Sequence, residues 1–128
     1  MLYETVGILR YSMPYKLIVE VDAQLAPYYR SLLPKNLKVN PPRYAPHISV
    51  LREEVPVNID VWGTHTEVAF SYGSTVYGDD LYYWLEVEAP ALERIRVELG
   101  LPPVSRLTKS PDGIHRFHIT IGNTKNRS

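Results

Sequence analysis

Four histidines occur in this 128-residue chain, and two of them share one local pattern. Pro46-His47-Ile48-Ser49-Val50 and Phe117-His118-Ile119-Thr120-Ile121 each set an imidazole, an apolar residue, a hydroxyl and a second apolar residue in succession, 71 residues apart. On an extended chain the side chains alternate between faces. His47 therefore shares a face with Ser49, and His118 with Thr120, while Ile48, Val50, Ile119 and Ile121 turn the other way. Two such strands side by side would surround one spot with two imidazoles and two hydroxyls. A neutral imidazole can take a proton from an attacking water or ribose hydroxyl, and a protonated one can supply a proton to the departing oxygen. The hydroxyls can donate to non-bridging oxygens as charge shifts in the transition state. In-line attack at a phosphodiester uses all four groups and needs no metal. The competing account of the same residues is a pair of half-buried histidines satisfied by neighbouring hydroxyls.

The elements that must position these groups are partly legible. Tyr15-Lys16-Leu17-Ile18-Val19-Glu20-Val21 alternates and is rich in β-branched residues, which predicts a strand. Asp22 then reads as an N-cap for a helix carrying Leu25, Tyr28, Tyr29, Leu32 and Leu33 on one stripe before Pro34. The proline-rich approach, Asn40-Pro41-Pro42-Arg43-Tyr44-Ala45-Pro46, cannot form a ladder and predicts a stiff loop leading into a strand over residues 47–51. Residues 56–64 fit no pattern beyond one helical turn ending at Gly63. Two alternating runs, 67–77 and 81–89, flank Gly78-Asp79-Asp80 and predict a hairpin. In its second strand Leu81, Tyr83, Leu85 and Val87 are expected to face the core, with Tyr82, Trp84, Glu86 and Glu88 opposite, exposed or lining a groove. A helix from Pro90 carries Leu92, Ile95 and Leu99 and stops at Gly100. Residues 101–113 predict a long loop, and 116–121 the last strand. Strand, helix, strand thus occurs once in each half, and the order predicts an α+β or split-βαβ sandwich.

Composition narrows the partners. The chain weighs 14.7 kDa, which predicts one domain over residues 1–128 and no separate cofactor domain. At 45% hydrophobic and 22% charged residues it is expected to fold. Fourteen basic and fourteen acidic side chains cancel, so no global field gathers a long polyanion or a membrane surface, and a nucleic-acid ligand is expected to be small. The absence of cysteine excludes disulfides, thiolate nucleophiles and cysteine-based metal sites. No apolar run reaches membrane-spanning length, and Met1-Leu2-Tyr3-Glu4 lacks the opening of a secretory signal, so a cytoplasmic location is expected. A monomer is the default.

Further residues are candidates for substrate binding. Arg43, Arg52 and Arg116 flank the motifs, and a planar guanidinium suits bidentate phosphate contact, although arginine is also the common polar edge of a strand. Tyr11, Tyr44, Tyr82 and Trp84 are placed to stack a base, with Tyr44 first because the prolines hold it near His47; ordinary packing competes for the same residues. His115 and His118 form His-x-x-His, but side chains three apart on a strand point to opposite faces, so no metal site is expected there. His65, beside Glu67, reads as a solvent-facing loop histidine.

With both motifs in view, the chain resembles the 2H phosphoesterase superfamily, which is defined by two His-x-Thr/Ser motifs. Tyr28-Tyr29-Arg30-Ser31-Leu32 and Gly122-Asn123-Thr124-Lys125 are similar to its small phage and viral branch. The resemblance implies an α+β, bilobal sandwich of antiparallel sheets, with two main helices, whose related halves face each other across a central cleft. It also implies a metal-independent, cofactor-free phosphodiesterase in which His47 and His118 form the acid–base pair and Ser49 and Thr120 hold the phosphate. Ser49 stands where threonine is commoner, and either hydroxyl can donate. Implied substrates are 2′,3′-cyclic phosphates, 2′–5′ linkages, or the cyclic oligonucleotide signals of bacterial immunity that phage anti-CBASS members cleave, in the host cytoplasm if the source is viral. The chain stops ten residues after His118, so closure by a longer C-terminal tail is not expected. A non-catalytic nucleotide- or RNA-binding module is the alternative, keeping Tyr44, Arg43, Arg116, Tyr11 and Trp84 as contacts without using both imidazoles.

Overall fold

The computed structural model describes residues 2–79, 81–105 and 117–125. Six strands and two helices follow one another as β1 (Leu2–Ser12), β2 (Lys16–Glu20), α1 (Leu25–Ser31), β3 (His47–Leu51), β4 (Glu67–Gly78), β5 (Tyr82–Glu88), α2 (Pro90–Glu98) and β6 (His118–Asn123). Each half of the chain is therefore strand, strand, helix, strand. All pairings are antiparallel, and the strands close into one barrel in the order β1-β2-β3-β6-β5-β4.

The mixed α+β content and the two main helices match expectation, but the strands form one closed sheet instead of a sandwich of separate sheets. The cause is β1, which the alternation analysis passes over. At eleven residues it is long enough to pair with β2 along one edge and β4 along the other, which ties the two halves together a second time, opposite the β3–β6 junction. Its pattern is blurred because Val6 and Ile8 are exposed at 59% and 45%, while Gly7 and Leu9 are the buried positions. Gly7 suits a close approach: a Cβ there would collide with Val19 and lie 2.8 Å from the Glu20 carbonyl oxygen.

One registered row crosses the whole sheet: Leu9 pairs with Val19, Val19 with Ile48, Ile48 with Ile119, Ile119 with Leu85, and Leu85 with Val76. Cross-strand partners present their side chains on the same face, and this row belongs to the core together with Leu92, Ile95 and Leu99 of α2 and Ala26 and Tyr29 of α1. Burying a full-sized aliphatic side chain contributes roughly 1.5–3 kcal/mol, so this apolar row strongly resists a one-residue slip of β3 or β6.

Helix α2 starts with Pro90 and is followed by Gly100 at φ +85°, as the proline and glycine predict. Helix α1 is shorter than expected. Asp22 accepts the Gln24 N–H at 2.8 Å ahead of the helix instead of capping it, and the helix ends before Leu32. Fewer than two turns offer only a narrow stripe, so Tyr29 is buried while Tyr28 and Leu32 are exposed. Arg30 reaches from α1 to the Ile121 carbonyl oxygen at 2.8 Å. Residues 59–61 form a single 3-10 turn before Gly63.

The deepest polar cluster joins α2 to the segment after β3. Arg96, with no exposed surface, donates to both carboxylate oxygens of Glu54 at 3.0 and 2.8 Å, to Val50 O at 2.7 Å and to Pro102 O at 2.8 Å. Ser105 Oγ donates to Glu54 at 3.0 Å. Burial alone would raise the Glu54 pKa, but the hydrogen bonds and charge of Arg96, with Ser105, outweigh it and leave the pKa lowered.

Candidate active site

Strands β3 and β6 touch at the Ile48–Ile119 pair. Stepping one residue either way along antiparallel strands sets His47 across from Thr120 and Ser49 across from His118, all on the face opposite the two isoleucines. The two imidazoles are then diagonal neighbours, with Cβ atoms within about 7–8 Å. All four side chains line one cleft of about 940 Å³.

His47 Nδ1 lies 2.8 Å from the Ala45 carbonyl oxygen. A carbonyl only accepts, so Nδ1 carries the proton, and Nε2 of the neutral ring is left as the acceptor. Asn40, at the start of the proline-rich loop, bridges to Asn123 through N–H···O bonds of 2.7 and 3.0 Å, and its amide donates to Lys125 O at 3.0 Å. The loop is thus fastened to β6 at one end and runs into β3 at the other, and it carries Arg43 and Tyr44 into the cleft lining.

The pairing repeats on the two sides of this centre. On β2, Ile18 pairs with Ser49 and Glu20 with His47. On β5, Trp84 pairs with Thr120 and Glu86 with His118. Both ladders shift register at the corresponding place, between Leu17 and Ile18 and between Tyr83 and Trp84. The side chains differ: an aliphatic residue flanks the centre on one side and an indole on the other. Trp84 is 6% exposed, meets the His118 ring edge-on at 6.5 Å, and holds its Nε1 without a hydrogen-bond partner among the described residues.

Charge in the cleft is lopsided. Among the described residues its lining includes Lys16, Arg43, Arg52 and Lys125 against one carboxylate, Asp79. Asp79 is held in the β4–β5 turn by the Tyr82 and Leu81 N–H groups, both at 2.7 Å, which lower its pKa. Lys125 Nζ lies 4.9 Å from the Tyr82 ring centroid, and the Arg43 guanidinium 5.6 Å from that of Tyr44. A formally neutral protein thus gathers positive charge and aromatic faces around two imidazoles, an arrangement that attracts an anion bearing a ring.

Of the residues expected at the site, His47, Ser49, His118, Thr120, Arg43, Tyr44 and Trp84 line this cleft. Tyr11 does not: it sits on β1, which borders neither motif strand, and packs edge-on against Trp62 at 4.9 Å. Arg116 and His115 lie outside the described residues. Leu81, expected in the core, is 38% exposed, and Tyr83 is half-buried, because the register shift after Tyr83 interrupts the alternation. His65 bonds Glu98 at 2.8 Å on the surface instead of Glu67. Asn123 and Lys125, which the sequence marks only as part of the stretch after the second motif, also line the cleft, as does Lys16, which nothing local distinguishes. No group of three or more His, Cys, Asp or Glu among the described residues is placed to hold a metal ion, and none of the described helices is long and apolar enough to cross a membrane.

Comparison with curated proteins and with solved structures returns no match. Residues 18–128 match the family described as 2H-SAK: Swiss Army Knife, 2H phosphoesterase domain. That span takes in both histidine motifs and every residue of the cleft lining except Lys16. The chain belongs to this 2H-SAK family of 2H phosphoesterase domains, and its activity class is that of a phosphoesterase.

Proposed function

We propose that the protein cleaves a phosphodiester in a small nucleotide or a short or cyclic oligonucleotide, with His47 and His118 as the acid–base pair. Water or a ribose hydroxyl attacks phosphorus as one imidazole removes its proton. The bond to the leaving oxygen breaks as the other, protonated, imidazole supplies a proton to it. Ser49 and Thr120 donate to the non-bridging oxygens, where charge grows. The observation that carries this reading is the Ile48–Ile119 pair, which sets the two His-x-Ser/Thr motifs on adjacent strands, together with the shared lining of His47, Ser49, His118 and Thr120 in one cation-lined cleft.

The excess of cations over carboxylates favours a ligand with more than one phosphate, and Tyr82 and Tyr44, both exposed, supply faces for its bases. These features suit 2′–5′ oligomers and the cyclic oligonucleotide signals targeted by phage anti-CBASS enzymes better than a mononucleotide 2′,3′-cyclic phosphate. The test is a turnover screen of 2′,3′-cyclic nucleotides, 2′–5′ oligoadenylates and cyclic di- and trinucleotides, with His47→Ala/His118→Ala as the control. Product formed by the wild type and lost in the double variant supports the reading. Tight binding without product would make the protein a binding module instead.

A further inference from the structure

The two halves of the site have matching carboxylates that differ in surroundings. Glu20 pairs with His47 across the β2–β3 ladder, and Glu86 with His118 across the β5–β6 ladder. Glu20 forms an ion pair with Arg10, Nε to Oε1 at 3.1 Å, with both side chains about half exposed. Glu86 is half-buried on the strand beside its histidine. Val87 N donates to Phe117 O at 3.0 Å, which makes Val87–Phe117 a hydrogen-bonded pair and the adjoining Glu86–His118 pair the non-hydrogen-bonded kind. In such pairs the Cα atoms are only about 4.5 Å apart and the side chains rise together on one face.

We infer that Glu86 is a positioning residue for His118, holding that ring in its protonated, proton-donating form and so fixing His118 as the general acid and His47 as the base. This rests on the proposed acid–base chemistry and deepens it. The rest of the cleft works against a protonated imidazole. The cleft that His118 lines also holds His47, Ser49, Arg43 and Arg52 from β3 and its flanks, Lys16 from β2, and Lys125 beyond β6. Trp84 on β5 is neutral and edge-on, and Asp79 is occupied in its turn. A carboxylate beside His118 on the neighbouring strand offsets this field where the ring needs it. His47 has the complementary arrangement, since its Nδ1–H is committed to the Ala45 carbonyl and its Nε2 is the accepting atom.

The experiment is an NMR titration of the four histidine rings in the wild type, Glu86→Gln and Glu20→Gln, with His118 assigned by its loss in His118→Ala. The expected result is that Glu86→Gln lowers the His118 midpoint by about half a pH unit or more, while Glu20→Gln leaves it in place. In the wild type, the Glu86 carboxyl carbon should also show an inflection at the His118 midpoint, which keeps the test independent of how well the variant folds. An unmoved His118 midpoint in a folded Glu86→Gln, or a wild-type Glu86 signal blind to His118, would overturn the inference. The titration needs no substrate, so a lowered midpoint in a protein that turns over no phosphodiester would uphold the Glu86–His118 coupling and reject the proposed reaction alone. With turnover, Glu86→Gln moves the alkaline limb of the rate profile to lower pH, and Glu86→Asp restores part of the shift, which loss of packing would not produce.

Discussion

Ile48 lies directly across the ladder from Ile119, and this one apolar pair places four polar groups. Both isoleucines are fully buried, so neither strand can slip without exposing them, and their neighbours alternate imidazole and hydroxyl on the opposite face. In the proposed reaction the hydroxyls donate where a phosphoryl group gains charge. Ser49→Ala and Thr120→Val should each lower kcat by about 10²–10³-fold with little change in KM, because the hydrogen bonds strengthen in the transition state. Steady-state kinetics checks this; a rise in KM at constant kcat would mark both hydroxyls as simple binding groups.

The cations share the cleft lining with the four central side chains, and in the proposed reaction they hold the remainder of the ligand. Arg43→Ala/Arg52→Ala should raise KM by roughly tenfold or more on a substrate with several phosphates, given about 1.5–3 kcal/mol for a hydrogen bond to a charged group. The salt dependence of kcat/KM should weaken in the same variant. Kinetics at low and high ionic strength reads both, and an unchanged salt slope would remove these arginines from substrate binding.

Stability carries its own acid dependence through Glu54. Its pKa is lowered in the folded protein, so its contribution is present above the ordinary carboxylate value and is lost as pH falls through the depressed folded value. Denaturant titrations should show wild-type stability declining over that acidic window, with a smaller decline in Glu54→Gln. Arg96→Ala should cost about 3–5 kcal/mol by stranding the carboxylate, whereas Arg96→Met/Glu54→Leu should cost much less. Equal losses for the two would contradict this account of the pair.

Gly122 ends the second motif where α1, the loop and β6 converge. A Cβ there would lie 2.5 Å from Val39 Cγ1, 2.8 Å from the Asn40 carbonyl oxygen and 3.1 Å from Arg30 Cδ. Gly122→Ala should destabilise by roughly 1–3 kcal/mol and disturb the Asn40–Asn123 bridge that fastens the loop over the cleft. Thermal melting and amide exchange at Asn40 and Asn123 measure the two effects, and an unchanged Tm would show that the neighbours give way freely.

The sequence is most readable where burial is one-sided. His47–Leu51 alternates cleanly because its two faces meet different surroundings, and α2 is bounded by residues whose backbone preferences are strong, Pro90 and Gly100. The strand β1 is obscure because apolar residues occupy both of its faces, and without it the closure of the sheet cannot be foreseen. The Glu54–Arg96 pair joins residues 42 apart, and nothing local to either announces the other. The same holds for Lys16, which enters the cleft only through the register of β2 on β3. Trp84 was placed on the groove face by alternation, but its near-complete burial there depends on the register shift beside it and on His118.

Rate against pH, followed for the wild type and for each single histidine variant on one phosphodiester, bears most directly on whether the two rings share a phosphorus atom. The wild type should give a bell-shaped profile, with residual rates in His47→Ala and His118→Ala lower by about 10²–10⁴-fold and each variant missing the opposite limb of the bell. Full activity in either variant, or loss of the same limb in both, would contradict the account.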